Sequence, residues 1–354
     1  LLEEHRCVIL SGPPGAGKTM LLMSTLRQSP SFDFAGMNFS EVTSPKLVLQ
    51  TLEQYCIYTE SSDGLILQPP NVDKWVVVFC DEINLPSLDD YGSQPAIEFL
   101  RQLIGYNGFW NSSKALWVTL SHIQFVGACN PPSDAGRTLL SERFLRLCSI
   151  LMIDYPSKAS LKEIYLTFNR SLLKLIPNLS GYSTEITNCM LEVYERFSKK
   201  FNVQTKVHYI CSPRELTRWV RGIYQSIQNI SELSINGFIR LWTYEALRIF
   251  SDKLELESDQ KWVFDMIKSV VTKNIPLVDC GEAFRLPILY SDWLSYDYGP
   301  VDEKELADFV RERLKVFSDE ESGPSIVLHP GMINHILEVD RVLRNTQGLS
   351  LIHI

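Results

Sequence analysis

The apolar positions of the first 130 residues form short runs that predict buried strands. The clearest run is 75–80, Trp-Val-Val-Val-Phe-Cys, which is apolar throughout and suits a parallel strand covered on both faces. Runs at 7–10 and 123–129 predict two further strands, and a weaker candidate lies near 37–39. Two short apolar segments within 108–120 predict a hairpin. Helical spacing of apolar residues occurs in three segments: 20–26, 44–55 and 94–104. The pattern favours an α/β domain with a parallel sheet.

A different pattern begins after residue 157, where the strand runs fade and helical spacing takes over. We predict five helices in this part of the chain: 159–175, 183–201, 213–227, 235–254 and 260–272. A third segment, from residue 285, holds two more helices, at 303–317 and 330–344, and ends in an apolar run at 349–354 that reads as the opening of another strand. The predicted divisions are an α/β domain, a helical domain and a third segment, at 1–155, 156–284 and 285–354.

Composition excludes several classes of protein. The chain has 354 residues, of which 45% are hydrophobic and 21% charged, as is typical of soluble globular proteins. Its 34 basic and 42 acidic residues give a net charge of −8, which argues against a broadly basic nucleic-acid-binding surface. The longest notable apolar run is far shorter than the roughly 18 residues of a membrane span, so we expect none.

Two features of the sequence indicate the redox compartment of the protein and its relation to a longer polypeptide. Eight cysteines are scattered without a CxxC pair, so we expect buried thiols in a reducing compartment. The chain begins with Leu1 rather than Met, and both ends lie in apolar segments, so we expect a fragment of a longer polypeptide.

A glycine-rich segment with the spacing G-x-x-x-x-G-K-[ST] lies between the strand at 7–10 and the helix at 20–26. Its glycines let backbone N–H groups converge on phosphate oxygens, and the start of the helix adds partial positive charge. Lys18 would reach the β- and γ-phosphates, and the Thr19 hydroxyl would hold Mg²⁺. A glycine-rich turn without function is disfavoured because strand, loop and helix occur in the required order. The nucleotide-binding candidates here are Gly12, Pro13, Pro14, Gly15, Ala16, Gly17, Lys18, Thr19 and Met20.

Two acidic residues stand where the strand at 75–80 ends. Asp81 is the candidate metal-side carboxylate, and Glu82 would orient and polarise an attacking water, so we expect hydrolysis and not only binding. Read alone, an Asp-Glu pair after a strand is more often a solvated loop or a helix cap. The glycine-rich phosphate loop favours the catalytic interpretation.

Three further polar residues are candidates. Asn130 follows the strand at 123–129 and could bind the γ-phosphate or the attacking water; its alternative role is turn formation before two prolines. Arg143 could serve as an arginine finger for an adjacent site, or pair with surface carboxylates. Arg214 stands in the first turn of a helix that Ser212 caps, where a cation opposes the helix dipole. A nearby triphosphate would compensate; the alternative is a solvated or salt-bridged arginine.

Together, in this order along the chain, these motifs resemble the AAA+ ATPases, whose modules assemble as rings. More narrowly, segments 125–132, 140–146 and 209–219 are similar to the dynein heavy chains, in which six AAA+ modules lie in one polypeptide. The phosphate loop through Met20, with 81–86, most resembles the third module of the cytoplasmic members. The resemblance covers nearly the whole chain, continues from Arg285 as the start of the fourth module, and ends at 347–348.

The resemblance implies a role for each candidate residue. Lys18 and Thr19 are its P-loop residues, Asp81 and Glu82 its metal and water carboxylates, and Asn130 its sensor-one residue. Arg214 corresponds to the sensor-two arginine, which contacts nucleotide. Arg143 would be a finger toward the site of the preceding module, which this chain lacks. The hairpin within 108–120 resembles the insert before sensor one, which contacts other parts of the ring.

The resemblance also implies a function. The cofactors would be ATP or ADP with Mg²⁺, and the activity a slow, regulatory ATP hydrolysis that controls microtubule release and thus minus-end-directed movement. The partners would be neighbouring AAA+ modules of the same heavy chain, with intermediate chains, light intermediate chains and microtubules bound by parts outside this chain. The location would be cytoplasmic and microtubule-associated, with no nucleic acid and no membrane span.

Two alternatives remain open at this point. One is another ring ATPase, of the midasin or MoxR-like type, which shares a similar strand-end asparagine; the continuation over 285–344 weighs against the MoxR type. The other is a scaffold module that nucleotide only stabilises, by binding the folded and not the unfolded state. Glu82 and Asn130 argue against a scaffold, because a scaffold has no need of a water-positioning carboxylate.

Overall fold

The computed structural model divides the chain into two compact units, Leu1–Pro156 and Ser157–Ile354. It describes residues 1–344 with these gaps: 62–63, 113–114, 135, 203–205, 207, 229, 231–232, 277–279, 296–297 and 322–327. The strand predicted at 349–354 therefore lies outside the described residues.

The first unit contains nine described strands and four helices. The strands are β1 (Val8–Ser11), β2 (Phe32–Asn38), β3 (Ile57–Ser61), β4 (Gly64–Gln68), β5 (Trp75–Asp81), β6 (Gly108–Asn111), β7 (Leu116–Leu120), β8 (Ile123–Cys129) and β9 (Ser149–Met152). The helices are α1 (Lys18–Gln28), α2 (Pro45–Tyr55), α3 (Pro95–Gly105) and α4 (Glu142–Leu145).

The central sheet has five parallel strands in the order β2-β5-β8-β1-β9. Every residue of β8 is buried, as are the five interior residues of β5, so the fully apolar runs do form the buried middle of the sheet. The strand expected near 37–39 is the end of the longer β2. Because the strands are parallel, the loops after β1, β5 and β8 emerge at one edge.

A second sheet of four strands has the order β3-β4-β7-β6. The antiparallel pair β6–β7 confirms the hairpin predicted within 108–120. The pair β3–β4 was not expected, because β3 reads Ile-Tyr-Thr-Glu-Ser and four of its five residues are exposed. The edge strand β9 was missed for the same reason, since three of its four residues are exposed.

The second unit is mainly helical. Its helices are α5 (Lys158–Leu173), α6 (Ser183–Lys200), α7 (Pro213–Ile227), α8 (Ile235–Phe250), α9 (Glu257–Asn274), α10 (Glu303–Glu321) and α11 (Pro330–Arg344). Two strands of two residues, β10 (Tyr290–Ser291) and β11 (Gly299–Pro300), pair antiparallel. Helices α5 to α9 confirm the five predicted helices and bury one apolar core, in which the Trp219 and Trp242 rings lie 4.4 Å apart. A smaller cluster, which includes Leu306 and Leu337, joins α10 to α11.

Helices α8 and α11 exchange two ion pairs within this unit. Glu245 of α8 is buried, and its Oε1 forms an ion pair with Nη2 of Arg341 in α11 at 2.7 Å. Nη1 of Arg248 in α8 forms the second pair, with Oε1 of Glu338 in α11 at 3.0 Å. Gly222 of α7 makes room for the first pair, because a Cβ there would lie 2.2 Å from Glu245 Oε2. Burial raises the pKa of the Glu245 carboxyl. The two ion pairs stabilise the packing of α11 against the α7–α8 part of the helical bundle.

Candidate nucleotide-binding site

The loop after β1 has a backbone that only glycine fits at several positions. Gly12 packs against the chain after β9, since a Cβ there would lie 1.9 Å from the carbonyl oxygen of Ile153. Gly15 and Gly17 have φ angles of 83° and 92°, in the left-handed region that favours glycine. The loop also joins β8, because the Gly12 N–H donates to the Cys129 carbonyl at 3.2 Å. The glycines of the predicted motif therefore occupy positions where a side chain would clash or strain the backbone.

Helix α1 begins at Lys18 with its N-terminal N–H groups directed at the loop. Within the described part of the chain, no side chain caps this helix and its first turn holds no acidic residue. The first N–H groups of a helix have no acceptor inside it, and they carry partial positive charge. This helix start accordingly fits the phosphates of a nucleotide.

The Lys18 ammonium lies over the loop and connects it to β8. Its Nζ is buried and donates to the carbonyl oxygens of Gly12 at 2.7 Å and Pro13 at 3.1 Å. It also donates to Asn130 Oδ1 at 2.8 Å. These oxygens hold the ammonium at the phosphate-binding loop, where a point charge can bind the outer phosphates.

Asn130 lies between the lysine and the acidic residues of β5. Its buried side chain accepts from Lys18, and its Nδ2 donates to Glu82 Oε1 at 3.3 Å. Its main-chain oxygen accepts from the buried side chain of Asn84 at 2.9 Å. Asn130 therefore connects two candidate catalytic groups, Lys18 and Glu82, through its side chain, which is more than the formation of a turn would require.

Asp81 and Glu82 lie at the carboxyl end of β5. Asp81 is half-buried, and its Oδ1 accepts from the Glu82 N–H at 3.0 Å. Glu82 has a φ of 57°, which is uncommon for a residue with a side chain and is concentrated at functional sites. The Asp81 carboxylate and the Thr19 hydroxyl are the oxygen donors that Mg²⁺ prefers. The described residues contain no cluster of three or more His, Cys, Asp or Glu, and Mg²⁺ usually takes only one or two carboxylates beside phosphate oxygens.

Arg137 is the site residue that the sequence pattern did not reveal. Its guanidinium forms an ion pair with Glu82 Oε2 at 2.7 Å, and its side chain is only 15% exposed. The one available signal was weak: Arg137 is the single basic residue between Pro131 and Thr138, in the loop that follows β8.

The two other arginine candidates are exposed residues of helices. Arg143 is exposed on α4 in the first unit. Arg214 is exposed in the first turn of α7 in the second unit, where Ser212 and Glu215 form the predicted capped start. The finger role of Arg143 and the nucleotide contact of Arg214 stay predictions.

Two family profiles match the chain. The profile described as "P-loop containing dynein motor region" matches residues 1–156, and the profile "Dynein heavy chain, ATPase lid domain" matches residues 168–260. Together they agree with an α/β P-loop subdomain followed by a helical lid subdomain. Among the described residues, no helix combines the length and apolar character needed to cross a membrane.

Curated relatives point the same way. The chain is 48% identical to cytoplasmic dynein heavy chains of Neurospora crassa over 347 residues and of Drosophila melanogaster over 351 residues. These matches cover 98% and 99% of this chain and 8% of each relative. The Dictyostelium discoideum protein of the same name is 48% identical over 352 residues, 99% of this chain and 7% of the relative. The chain thus spans about 8% of the length of the relatives it matches. With both profiles and these relatives in agreement, the chain belongs to the dynein heavy chain family.

Proposed function

We propose that this chain binds and hydrolyses ATP as an AAA+ module of a cytoplasmic dynein heavy chain. The observation that carries the proposal is the connected row Lys18–Asn130–Glu82, which joins the phosphate loop to the candidate base at 2.8 Å and 3.3 Å. A nucleotide holder that did no chemistry would need the lysine but not a carboxylate hydrogen-bonded to the same asparagine.

The residues fit ATP with Mg²⁺. The uncapped start of α1 and the glycine backbone would hold the phosphates, and Lys18 would bind their outer oxygens. Thr19 and Asp81 would hold the metal, which when bound neutralises charge on the phosphates. With these ligands, the Mg²⁺ site and the phosphate loop would lie at the same edge of the sheet.

Glu82 and Asn130 supply the hydrolytic chemistry. A Glu82 carboxylate oxygen would accept a hydrogen bond from the attacking water and orient it toward the terminal phosphate. Asn130, which already touches Lys18 and Glu82, would hold the water and the γ-phosphate in register. Positioning of this kind is most of what phosphoryl transfer requires from a protein.

The family resemblance also suggests which AAA+ module this chain forms. We place the chain at the third AAA+ module, with 1–155 as the large subdomain, 156–284 as the lid and 285–354 as the start of the fourth module. Its hydrolysis would be slow and would regulate microtubule release elsewhere in the heavy chain. Neighbouring modules, with Arg143 facing the preceding site and Arg214 reading nucleotide, would complete the ring. The named partners and the cytoplasmic, microtubule-associated location are those of the intact dynein.

The test is made in the intact heavy chain. We expect Lys18→Ala to weaken ATP binding at this site about 10- to 100-fold, as loss of a charge-assisted contact does. Glu82→Gln should leave binding intact but slow microtubule-stimulated movement. Lys46→Ala, which removes an exposed lysine of α2, is the matched control. Wild-type movement with Glu82→Gln would contradict a hydrolytic role.

One observation favours a second candidate function. Both oxygens of the Glu82 carboxylate already have partners, Asn130 and Arg137, which is the arrangement expected if the site holds nucleotide without hydrolysing it. In that case bound nucleotide would stabilise the folded module, and Lys18→Ala alone would affect the heavy chain. Normal movement with Glu82→Gln, together with impaired movement with Lys18→Ala, identifies this second function.

A further inference from the structure

Glu82 is held on both sides. Asn130 donates to one carboxylate oxygen at 3.3 Å, and Arg137 forms an ion pair with the other at 2.7 Å. The shorter contact is the charged one, and the arginine side chain is 15% exposed, so solvent screens this pair less than a surface pair.

The backbone fixes both partners of this ion pair. The Glu82 carbonyl accepts from Leu85 N–H at 3.0 Å, and the intervening Ile83 N–H donates to the Ala128 carbonyl at 3.0 Å. On the other side, the Arg137 N–H donates to the Asp134 carbonyl at 3.2 Å.

Asn84 ties these two turns together. Its side chain donates to the Asn130 carbonyl at 2.9 Å, and its own carbonyl accepts from Thr138 N–H at 3.0 Å. The ion pair therefore joins two anchored loops and is not a chance meeting of long surface side chains.

We propose that Arg137 is a positioning residue that restrains Glu82, so that hydrolysis requires this ion pair to open. A base must place an oxygen within hydrogen-bonding reach of the water it activates. Oε2 forms an ion pair with the guanidinium and Oε1 accepts from Asn130, so both contacts compete with a hydrogen bond from Glu82 to an attacking water. This inference rests on the proposed function and gives it a structural cause for slow turnover.

Two possible roles of Arg137 predict opposite effects of its removal on the rate of hydrolysis. If Arg137 restrains Glu82, its removal raises the rate of hydrolysis and leaves ATP affinity unchanged. If Arg137 instead holds Glu82 in the productive orientation, its removal lowers the rate. A merely structural residue would alter nucleotide affinity and rate together.

The experiment uses the intact heavy chain in which the P-loop lysines of all other nucleotide sites are replaced by alanine. Turnover that Lys18→Ala abolishes in this background belongs to the present site. We expect Arg137→Ala to raise kcat for ATP about 3- to 10-fold with KM within about twofold, and Arg137→Lys, which restores a cation, to return kcat toward wild type. Arg146→Ala, at an exposed arginine of the same unit, is the control and should match wild type.

A double variant isolates the pair. In a Glu82→Gln background, Arg137→Ala should have no further effect on the rate, because the group it restrains is already gone. An unchanged or lower kcat with Arg137→Ala, or a loss of ADP binding in that variant, overturns the restraint. Absence of any Lys18-dependent turnover, with ATP still bound, overturns the proposed function itself and the restraint with it.

Discussion

The Lys18 ammonium donates a hydrogen bond to Asn130 Oδ1 at 2.8 Å, across 112 positions of sequence. The contact joins the start of α1, which the phosphate loop connects to β1, to the residue that follows β8, and β1 and β8 are neighbours in the central sheet. Because Asn130 also donates to Glu82, one hydrogen-bonded row connects the start of α1 with the residues that follow the parallel strands β8 and β5. The sheet order, with β8 between β1 and β5, is what brings these groups together.

Removal of the Asn130 amide should separate binding from hydrolysis. Asn130→Ala deletes the contacts to Lys18 and Glu82, so we expect hydrolysis at this site to fall about 100-fold while ATP affinity falls much less. Single-turnover hydrolysis and nucleotide binding in the intact heavy chain measure the two effects. Asn130→Asp, which keeps an acceptor for Lys18 but replaces the donor to Glu82, should be as slow; a wild-type rate in either variant is incompatible with this role.

A methyl group at Gly12 should disrupt the phosphate loop. The Cβ of Gly12→Ala would lie 1.9 Å from the Ile153 carbonyl oxygen, so the loop or the chain after β9 must shift. We expect about 1–3 kcal/mol of local destabilisation, together with weaker ATP binding. Hydrogen exchange of β1 and β9 measures the first effect. Gly181→Ala is the control, since its Cβ would meet no atom within 4 Å.

The buried ion pair of α8 and α11 should be costly to break from one side only. Arg341→Met leaves the Glu245 carboxylate buried without its guanidinium, and we expect about 3–5 kcal/mol of local destabilisation. Faster hydrogen exchange in both helices measures it. The double variant Glu245→Gln, Arg341→Met removes both charges and should recover most of the loss. Equal exchange in the single and double variants would show that the charges do not matter.

The stability of the same region should depend on pH through Asp252. Burial raises the pKa of Asp252 to about 6, against the opposing effect of Arg248, with Glu338 and His335 as the other charged neighbours. Between about pH 4 and pH 6 the folded state then binds more protons than the unfolded state, so stability falls as pH rises and stays constant above that window.

Asp252→Asn removes this titration. The free energy of hydrogen-exchange protection of α8 in the variant, relative to wild type, should increase from pH 4 to pH 6 and then level off. Hydrogen exchange corrected for its intrinsic pH dependence gives this difference. A difference that is flat across the window would mean that Asp252 titrates normally.

Local spacing accounts for what could be predicted from the sequence. The phosphate loop, the strand before it and the helix after it form one continuous segment, and the apolar runs at β5 and β8 are buried on both faces. Their polar ends, Asp81 and Asn130, were predicted to meet because parallel strands end at the same edge. Short-range pattern and simple topology were sufficient for this part of the site.

Long-range contacts account for what was missed. Arg137 meets Glu82 across 55 positions, and nothing in the spacing of either residue indicates the pair. Glu245 reads as an ordinary polar residue of an amphipathic helix, yet its burial depends on Gly222 in the preceding helix and on Arg341 nearly 100 positions later. Strand β3 was missed because its apolar pattern is weak where most of its residues are exposed.

We propose that ATP is bound and hydrolysed at the row Lys18–Asn130–Glu82. The most direct measurement is the identity of the nucleotide at this P-loop in the intact heavy chain during ATP turnover, determined by cryo-electron microscopy for wild type and Glu82→Gln. We expect mainly ADP in wild type and ATP with Mg²⁺ in Glu82→Gln. The same nucleotide in both proteins would mean that Glu82 does not catalyse hydrolysis at this site.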